Sequence, residues 1–252
     1  MRSGERMSRI LNQIYASILV NAVYAMQGYP AMIISNLLSP VSIIIIVSFV
    51  SHGALIPIAV SGALMTLFVG GGLSIQADLA HLKNDFKFQD MIVSSPTKAW
   101  VYLLGMGISE LIFILPSLVV LLILTFLFIH VSILGGLEII AVMALMYVFA
   151  TVFGFFLSTI TTDILQSWAF SGILSVLLTT IPPVYYPITY IPLPWRYIAY
   201  ISPTTYAAGI VQSALGYLPL STANVALDWA VLIAVSLVLF AVAIRRNRWR
   251  DV

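Results

Sequence analysis

The chain contains no cysteine and few charged residues. Of its 252 residues, 8% are Asp, Glu, Lys or Arg and 61% are hydrophobic, whereas soluble domains carry about 25% charged and about 45–50% apolar residues. This composition excludes a disordered chain, which needs high charge and low hydrophobicity, and a disulfide scaffold, which needs cysteine. A net charge of +2 is too small to indicate a nucleic-acid partner. The composition therefore predicts an integral membrane protein with several spans.

Six apolar stretches are each long enough to cross a bilayer, which takes about 20 helical residues. None of them contains Lys or Arg. Their residues do not alternate between apolar and polar, as the strands of a membrane barrel would, so helices are predicted. We expect one all-α membrane domain, residues 1–252, with six transmembrane helices. The stretches are 31–51, 54–77, 99–129, 133–160, 164–184 and 224–244.

The basic residues predict the orientation of this domain. In a six-span chain, ten of the eleven Lys and Arg residues lie on one side, and only Arg196 lies on the other. Basic residues are enriched in cytoplasmic loops. Both termini and the loop 78–98 are therefore predicted to be cytoplasmic, in a multi-pass protein of the cell membrane.

Residues 5–27 precede the first span and are predicted to form an amphipathic helix along the inner membrane surface. No small-x-small cleavage site marks them as a signal peptide. Simple anchoring is the favoured interpretation, and bracing of a cytoplasmic partner is the alternative. The apolar face comprises Met7, Leu11, Ile14, Tyr15 and Ile18.

The sequence contains no motif for catalysis or nucleotide binding. It has no His-Glu-x-x-His, no Gly-x-Ser-x-Gly and no Gly-x-x-x-x-Gly-Lys-Ser/Thr. We therefore expect no catalytic, cofactor-binding or metal-ligating residues in this chain. Any work driven by ATP would need a second subunit that binds the nucleotide.

Small and ionisable residues inside the apolar stretches are candidates for packing or function. Gly62, Thr66 and Gly70 form a small-xxx-small ladder that predicts close helix packing. Glu110 lies in the third stretch, and such a charge costs about 2.5–3.5 kcal/mol at the bilayer centre. It is expected at the inner interface or, less favoured, near the midplane facing protein or a wet cavity. Asp228 is expected in the first turn of the sixth span, where a helix N-terminus stabilises an anion.

The cytoplasmic segment 78–98 mixes charged residues with aromatic and aliphatic side chains that a plain linker would not need. A short amphipathic helix that docks into a partner's groove would need them. The alternative is an interfacial helix that lies on lipid. The candidate coupling residues are Lys83, Asp85, Phe86, Lys87, Phe88, Asp90 and Met91.

Residues 185–216 are apolar but too rich in proline for a single span. Ser202 is a plausible N-cap with Pro203 at the first helical position, so two short helices, broken near Pro203, are predicted to enter the outer leaflet. Irregular backbone at membrane depth needs protein or a cavity beside it. The segment is therefore predicted to line or close the outer end of a pathway; an aromatic belt without gating is the alternative. The candidate gate residues are Tyr186, Pro187, Pro194, Trp195, Tyr200, Pro203 and Tyr206.

Together, these two segments in a six-span frame resemble the permease subunit of ABC exporters of the second type. That family includes drug, lipid, polysaccharide and cation exporters. The resemblance covers almost the whole chain and is most specific before the last span. It is carried there by Tyr186-Pro187, Leu193-Pro194-Trp195, Ile201-Ser202-Pro203-Thr204-Thr205-Tyr206 and Ala214-Leu215-Gly216, and on the inner side by Phe88-Gln89-Asp90-Met91-Ile92-Val93-Ser94-Ser95-Pro96.

The resemblance implies a mechanism. Two permease copies, identical or different, would pair in the lipid bilayer, and each would dock on a cytoplasmic ATPase that binds ATP and Mg²⁺. Closure of the ATPase would act on the coupling segment and open the pathway outward. The sparse charge and the outer aromatic residues favour an amphipathic or hydrophobic cargo, such as a drug-like molecule, a lipid or a glycolipid. The alternatives are a gradient-driven secondary transporter, an intramembrane enzyme and a membrane scaffold.

Overall fold

The regular structure of the chain is entirely helical over residues 3–28, 30–84, 99–161 and 163–246, the ranges that the computed structural model describes. A π-helical turn, Leu19–Tyr24, joins the first two helices, and a 3-10 turn, Ile188–Tyr190, precedes the eighth. The helices are α1 (Ser3–Ile18), α2 (Ala25–Gly28), α3 (Pro30–Val50), α4 (Ile56–Asn84), α5 (Ala99–Phe128), α6 (Ile133–Ser158), α7 (Ile164–Thr179), α8 (Arg196–Ala199), α9 (Pro203–Ala214) and α10 (Thr222–Arg246).

Among the described residues, four helices are long and apolar enough to cross a membrane. They are α4, α5, α6 and α10, and they confirm the prediction of an all-α membrane protein with several spans. Helices α3 and α7 contain shorter apolar segments, Ile34–Val50 and Leu165–Thr179. Both lie within predicted stretches, but their apolar segments are shorter than those of the four long helices. The count of six spans therefore stays a prediction.

Helix α4 is the centre of the bundle and packs against α3, α5, α6 and α7. Its closest approach is to α6, where a Cβ atom on Gly72 would lie 2.6 Å from the Cβ atom of Ala150. A Cβ atom on Gly154 would in turn lie 2.8 Å from the carbonyl oxygen of Gly72. Gly70, which the predicted ladder includes, has nothing within 4 Å of such a Cβ atom. The ladder prediction is wrong at this position, because Gly72 and not Gly70 faces α6.

The bundle has two distinct ends. At the first, residues 181–221 form what we call the hairpin segment, and the α3–α4 turn at 51–55 lies beside it. The hydroxyl of Tyr217 donates to the carbonyl of Ala54 across this contact, at 3.0 Å. We call this the hairpin end. The opposite end carries the last residues of α4, α6 and α10 and the first residues of α5 and α7.

The N-terminal helix α1 packs on α5 through a small-residue contact. A Cβ atom on Gly105 would lie 2.9 Å from the Cβ and Oγ atoms of Ser17. Leu11 and Tyr15, assigned above to the apolar face, are exposed, whereas Ser17, which the same pattern places on the polar face, lies against Gly105 of α5. The helical character expected for residues 5–27 is present on both sides of the π-helical turn. The position of α1 on a membrane surface stays a prediction.

Helix α4 does not end with its apolar residues at 77 but continues to Asn84. Backbone hydrogen bonding can extend a helix beyond the apolar stretch into a polar segment, because hydropathy does not by itself end a helix. Lys83 therefore belongs to the last turn of α4. The other candidate coupling residues, Asp85, Phe86, Lys87, Phe88, Asp90 and Met91, lie outside the described residues.

Candidate functional site

The start of the hairpin segment is held between α4 and α9. A Cβ atom on Gly62 of α4 would lie 2.7 Å from the carbonyl oxygen of Val184, so only glycine allows this approach. The hydroxyls of Tyr185 and Thr66 lie 2.6 Å apart. Burial raises the pKa of Tyr185 to about 12, although the hydrogen bond to Thr66 acts in the opposite direction. The phenol therefore stays neutral at physiological pH.

On the other side of this segment, Gln212 of α9 binds its backbone. The buried side-chain amide donates to the carbonyl oxygens of Pro183, at 2.8 Å, and Tyr186, at 3.1 Å. A buried amide requires such partners, because an unsatisfied polar group there costs about 1–3 kcal/mol. The base of the hairpin segment is thus attached to α4 by Thr66, which the sequence placed in the small-residue ladder, and to α9 by Gln212, which the sequence did not single out.

A break in the helix lies next to Pro203, as the sequence predicts. Helix α8 ends at Ala199 and α9 begins with Pro203 at its first position, where its fixed φ and missing N–H are tolerated. Ser202 makes no side-chain cap and pairs its hydroxyl with that of Thr204 at 2.7 Å. The hydroxyl of Thr205 donates to the carbonyl of Ala199 and joins the two helices.

The structure divides the candidate gate residues into a buried base and an exposed tip. Pro187 and Pro203 are buried, and Tyr186 and Tyr206 are partly buried. The exposed tip, residues 189–196, is held together by hydrogen bonds within it. The guanidinium of Arg196 donates to the carbonyl oxygens of Thr189, at 3.2 Å, and Ile191, at 3.1 Å. The exposed members are Pro194, Trp195 and Tyr200. A gating role for any of them stays a prediction.

A cavity of about 430 Å³ opens between the hairpin segment and α10, within the range typical of ligand pockets. Of the candidate gate residues, Tyr200 and Tyr206 line it, with ring centroids 6.0 Å apart. Burial, followed by the nearby Asp228 and Tyr200, raises the pKa of Tyr206, whose phenol therefore stays neutral. The apolar wall consists of Ile188, Leu218, Leu220 and Leu227.

Asp228 faces this cavity and does not lie in the first turn of α10. The helix begins at Thr222, two residues before the apolar stretch, because the hydroxyl of Ser221 accepts the N–H of Asn224 at 3.2 Å and so caps it. Asp228 is therefore in the second turn, and the expected interaction with the helix N-terminus is wrong. A Cβ atom on Gly209 of α9 would lie 2.9 Å from its Oδ2 atom, so the carboxylate lies directly against that helix.

A second polar cluster lies inside the bundle. Glu110 of α5 is buried, and its carboxyl group lies beside the side chains of Asp78 and Ser74 of α4. The hydroxyl of Tyr147 of α6 donates to the carbonyl of Gly107, one turn before Glu110. Glu110 therefore faces protein and not lipid. Its depth in the bilayer, at the inner interface or nearer the midplane, stays a prediction.

Comparison with known proteins identifies the family. A family model described as ABC-2 type transporter matches residues 8–215, from α1 to the residue after α9, including the base of the hairpin segment and both cavity tyrosines. A comparison with curated proteins gave no match. The family match covers 208 of the 252 residues, and the chain therefore belongs to the ABC-2 type transporter family of membrane permeases.

Proposed function

We propose that this chain is the permease subunit of an ABC exporter, and that two permease copies form the pathway for an amphipathic or hydrophobic substrate. ATP hydrolysis in a separate cytoplasmic subunit drives transport. The family match over residues 8–215 is the observation that carries this proposal. Dimer formation, the partner ATPase and the class of cargo go beyond that match.

The absence of a nucleotide-binding motif from the sequence supports a separate energy source. Helix α4 could couple the cytoplasmic ATPase to the hairpin segment. It is a single helix of 29 residues, about 43 Å long at 1.5 Å per residue. Its last turn contains Lys83, the first candidate coupling residue, and near its other end Gly62 and Thr66 contact the base of the hairpin segment.

Because α4 packs on α3, α5, α6 and α7, we expect it to move with the bundle as one body. A displacement applied by an ATPase beyond Asn84 would reach Val184 and Tyr185 without an intervening flexible element. Rigid-body motion of this kind is a common way to convert ligand binding in one subunit into opening at a distant surface. The hairpin segment would then change the outer end of the pathway.

The direction of export depends on the predicted orientation. Helices α4 and α10 end, and α5 begins, at the end of the bundle opposite the hairpin segment, and the six-span prediction puts ten of the eleven basic residues outside the spans on that side. This arrangement supports cytoplasmic termini and an extracellular hairpin segment. The apolar wall of the cavity at the hairpin end supports a cargo with a large apolar part.

The first test is purification of the tagged chain from its native membrane in mild detergent, followed by mass spectrometry and an ATPase assay. We expect a co-purifying protein with a P-loop and vanadate-sensitive hydrolysis. A chain that purifies without any ATPase, and whose flux follows a proton or sodium gradient, would replace the proposal with a secondary transporter.

The coupling segment is tested by Phe86→Ala and Phe88→Ala. If these aromatic side chains anchor the ATPase, each truncation should weaken its docking by about tenfold or more. Phe126→Ala is the matched control, because Phe126 is exposed near the hairpin end of α5. Transport-coupled hydrolysis that is unchanged in both coupling variants would contradict the assigned role.

A further inference from the structure

We propose that the cavity at the hairpin end binds an organic cation. Asp228 provides the opposite charge, and Tyr200 and Tyr206 provide the aromatic wall. The leucine-rich side of the cavity contacts the apolar group of the ligand. The chemical class is an amine or quaternary ammonium attached to an apolar group. As a statement about cargo, this inference rests on the proposed function. As a statement about binding, it depends only on the chain.

The carboxylate of Asp228 is the first observation that supports a cationic ligand. It is half-buried, and no donor or basic side chain in the described part of the chain bonds it. An ionised carboxylate removed from water without a partner is unfavourable, and an ionisable residue within a membrane span indicates function and a partner of opposite charge. None of the described residues that line the cavity is Lys, Arg or His. A cationic ligand would supply the positive charge that the described lining lacks.

The two tyrosines are the second observation. Their ring planes are inclined at 47°, and both side chains line the same cavity as Asp228. The face of an aromatic ring attracts a cation, by about 0.5–1 kcal/mol at exposed sites and about 2 kcal/mol when water is excluded. Tyr206 lies close enough to Asp228 for the carboxylate to act on its phenol. A cation beside Asp228 would thus also meet an aromatic side chain.

The small number of carboxylates in the cavity argues against a metal ion. Asp228 is the one carboxylate among the described lining residues, whereas Ca²⁺ takes about six to eight oxygen ligands. The apolar wall suits a hydrocarbon group instead. The volume of about 430 Å³ accommodates a cationic head together with an apolar body of modest size.

The test is equilibrium dialysis of benzyltrimethylammonium against the full-length chain in lipid nanodiscs, with empty nanodiscs subtracted. Benzyl alcohol and benzenesulfonate are the neutral and anionic probes of similar size. We expect saturable binding of the cation alone. Asp228→Asn should weaken it by at least about tenfold, the amount that a hydrogen bond or contact with a charged group contributes.

Three further variants separate a binding role from a structural one. Tyr206→Leu should weaken binding by about three- to thirtyfold, and Tyr206→Phe, which keeps the ring, by less than about twofold. Asp163→Asn removes the same charge from an exposed residue at the opposite end of the bundle and should leave binding unchanged. Size-exclusion profiles identical to that of the wild type would show that each variant is folded.

The proposal is overturned if the wild-type chain does not bind the cation, if it binds benzenesulfonate equally, or if Asp228→Asn binds as tightly as the wild type.

Failure of this inference can be distinguished from failure of the proposed function. A chain that co-purifies with an ATPase but does not bind the cation keeps the proposed function and loses this inference. A chain that binds the cation through Asp228 but has no ATPase keeps this inference as a binding site and loses the assignment of the cation as exported cargo.

Discussion

Helix α4 is far more buried than α5 and α10, although both of those helices are more hydrophobic than α4. In the most apolar 18-residue part of each helix, 78% of α4 is buried, against 17% of α5 and 6% of α10. Helix α4 is nevertheless the least hydrophobic of the three. In a soluble protein the most hydrophobic helix would be expected at the centre of the core. Here the most hydrophobic helices have the most exposed surface.

The difference follows from the surrounding lipid. Because lipid tails are as apolar as leucine, helices in a membrane associate through close packing and polar contacts rather than through hydrophobic burial. Helix α4 has the residues for such contacts: Gly62 and Gly72 admit neighbouring backbones, and Gln76 accepts a hydrogen bond from Ser171 of α7 at 3.2 Å. Large aliphatic and aromatic side chains instead cover the exposed faces of α5 and α10.

The largest effect expected from this comparison is at two adjacent leucines of α5. Leu121 is 0% exposed and Leu122 is 49% exposed. Leu121→Ala should lower the free energy of unfolding by about 2–5 kcal/mol, because it leaves a cavity against packed neighbours. Leu122→Ala should change it little, because lipid can fill the space. Thermal unfolding of the purified chain in lipid nanodiscs measures both.

An equal loss of stability in both leucine variants would contradict the division of α5 into a packed face and an exposed one. The same substitution at neighbouring positions keeps composition and helix propensity identical. Any difference between the variants therefore reports the environment of the two side chains and not the hydropathy of the helix.

A smaller effect is expected at two glycines of α4. Gly72→Ala would place its Cβ atom 2.6 Å from that of Ala150 and 2.8 Å from the backbone nitrogen of Thr151, so the helices must separate. Overpacking of this kind costs about 1–3 kcal/mol. Gly70→Ala meets nothing within 4 Å and should be neutral or slightly stabilising, because alanine favours a helix by about 0.5–1 kcal/mol over glycine. If Gly70→Ala were the more damaging variant, the rotation of α4 described here would be wrong.

These residues also show how far the sequence determines the fold. Apolar runs predicted α3 at 31–51 and α5 at 99–129, and the helices occupy Pro30–Val50 and Ala99–Phe128, whereas α4 continues beyond its apolar run to Asn84. Which of three consecutive glycines at 70–72 faces α6 depends on the rotation of α4 about its axis. Hydropathy does not determine that rotation in a helix that is apolar on all sides.

The candidate site, like the fold, was predictable from local sequence patterns but not in its contacts between distant residues. The proline and tyrosine pattern located the hairpin segment and the break next to Pro203, because proline has strong local preferences. The attachment of that segment through Thr66, Tyr185 and Gln212 was missed, because it joins residues far apart in the chain. Gln212 did offer a signal, as a polar residue that directly follows Ile210 and Val211. The position of Asp228 against Gly209 depends on where α10 begins, which Ser221 and not the apolar stretch determines.

The smallest expected effect concerns the bond between α4 and the hairpin segment, and Tyr185→Phe isolates it by removing one oxygen atom. The hydroxyl of Tyr185 lies 2.6 Å from that of Thr66 inside the protein, so its loss should lower the free energy of unfolding by about 1 kcal/mol. Tyr190→Phe is the control, because Tyr190 is exposed at the tip of the same segment, and it should have almost no effect.

Limited proteolysis provides the second measurement. Tyr185→Phe should accelerate cleavage within 181–221 more than cleavage within the bundle, because the bond attaches that segment to α4. Equal cleavage rates in the two variants would mean that glycine packing at Gly62 and the amide of Gln212 hold the segment without help from this hydroxyl.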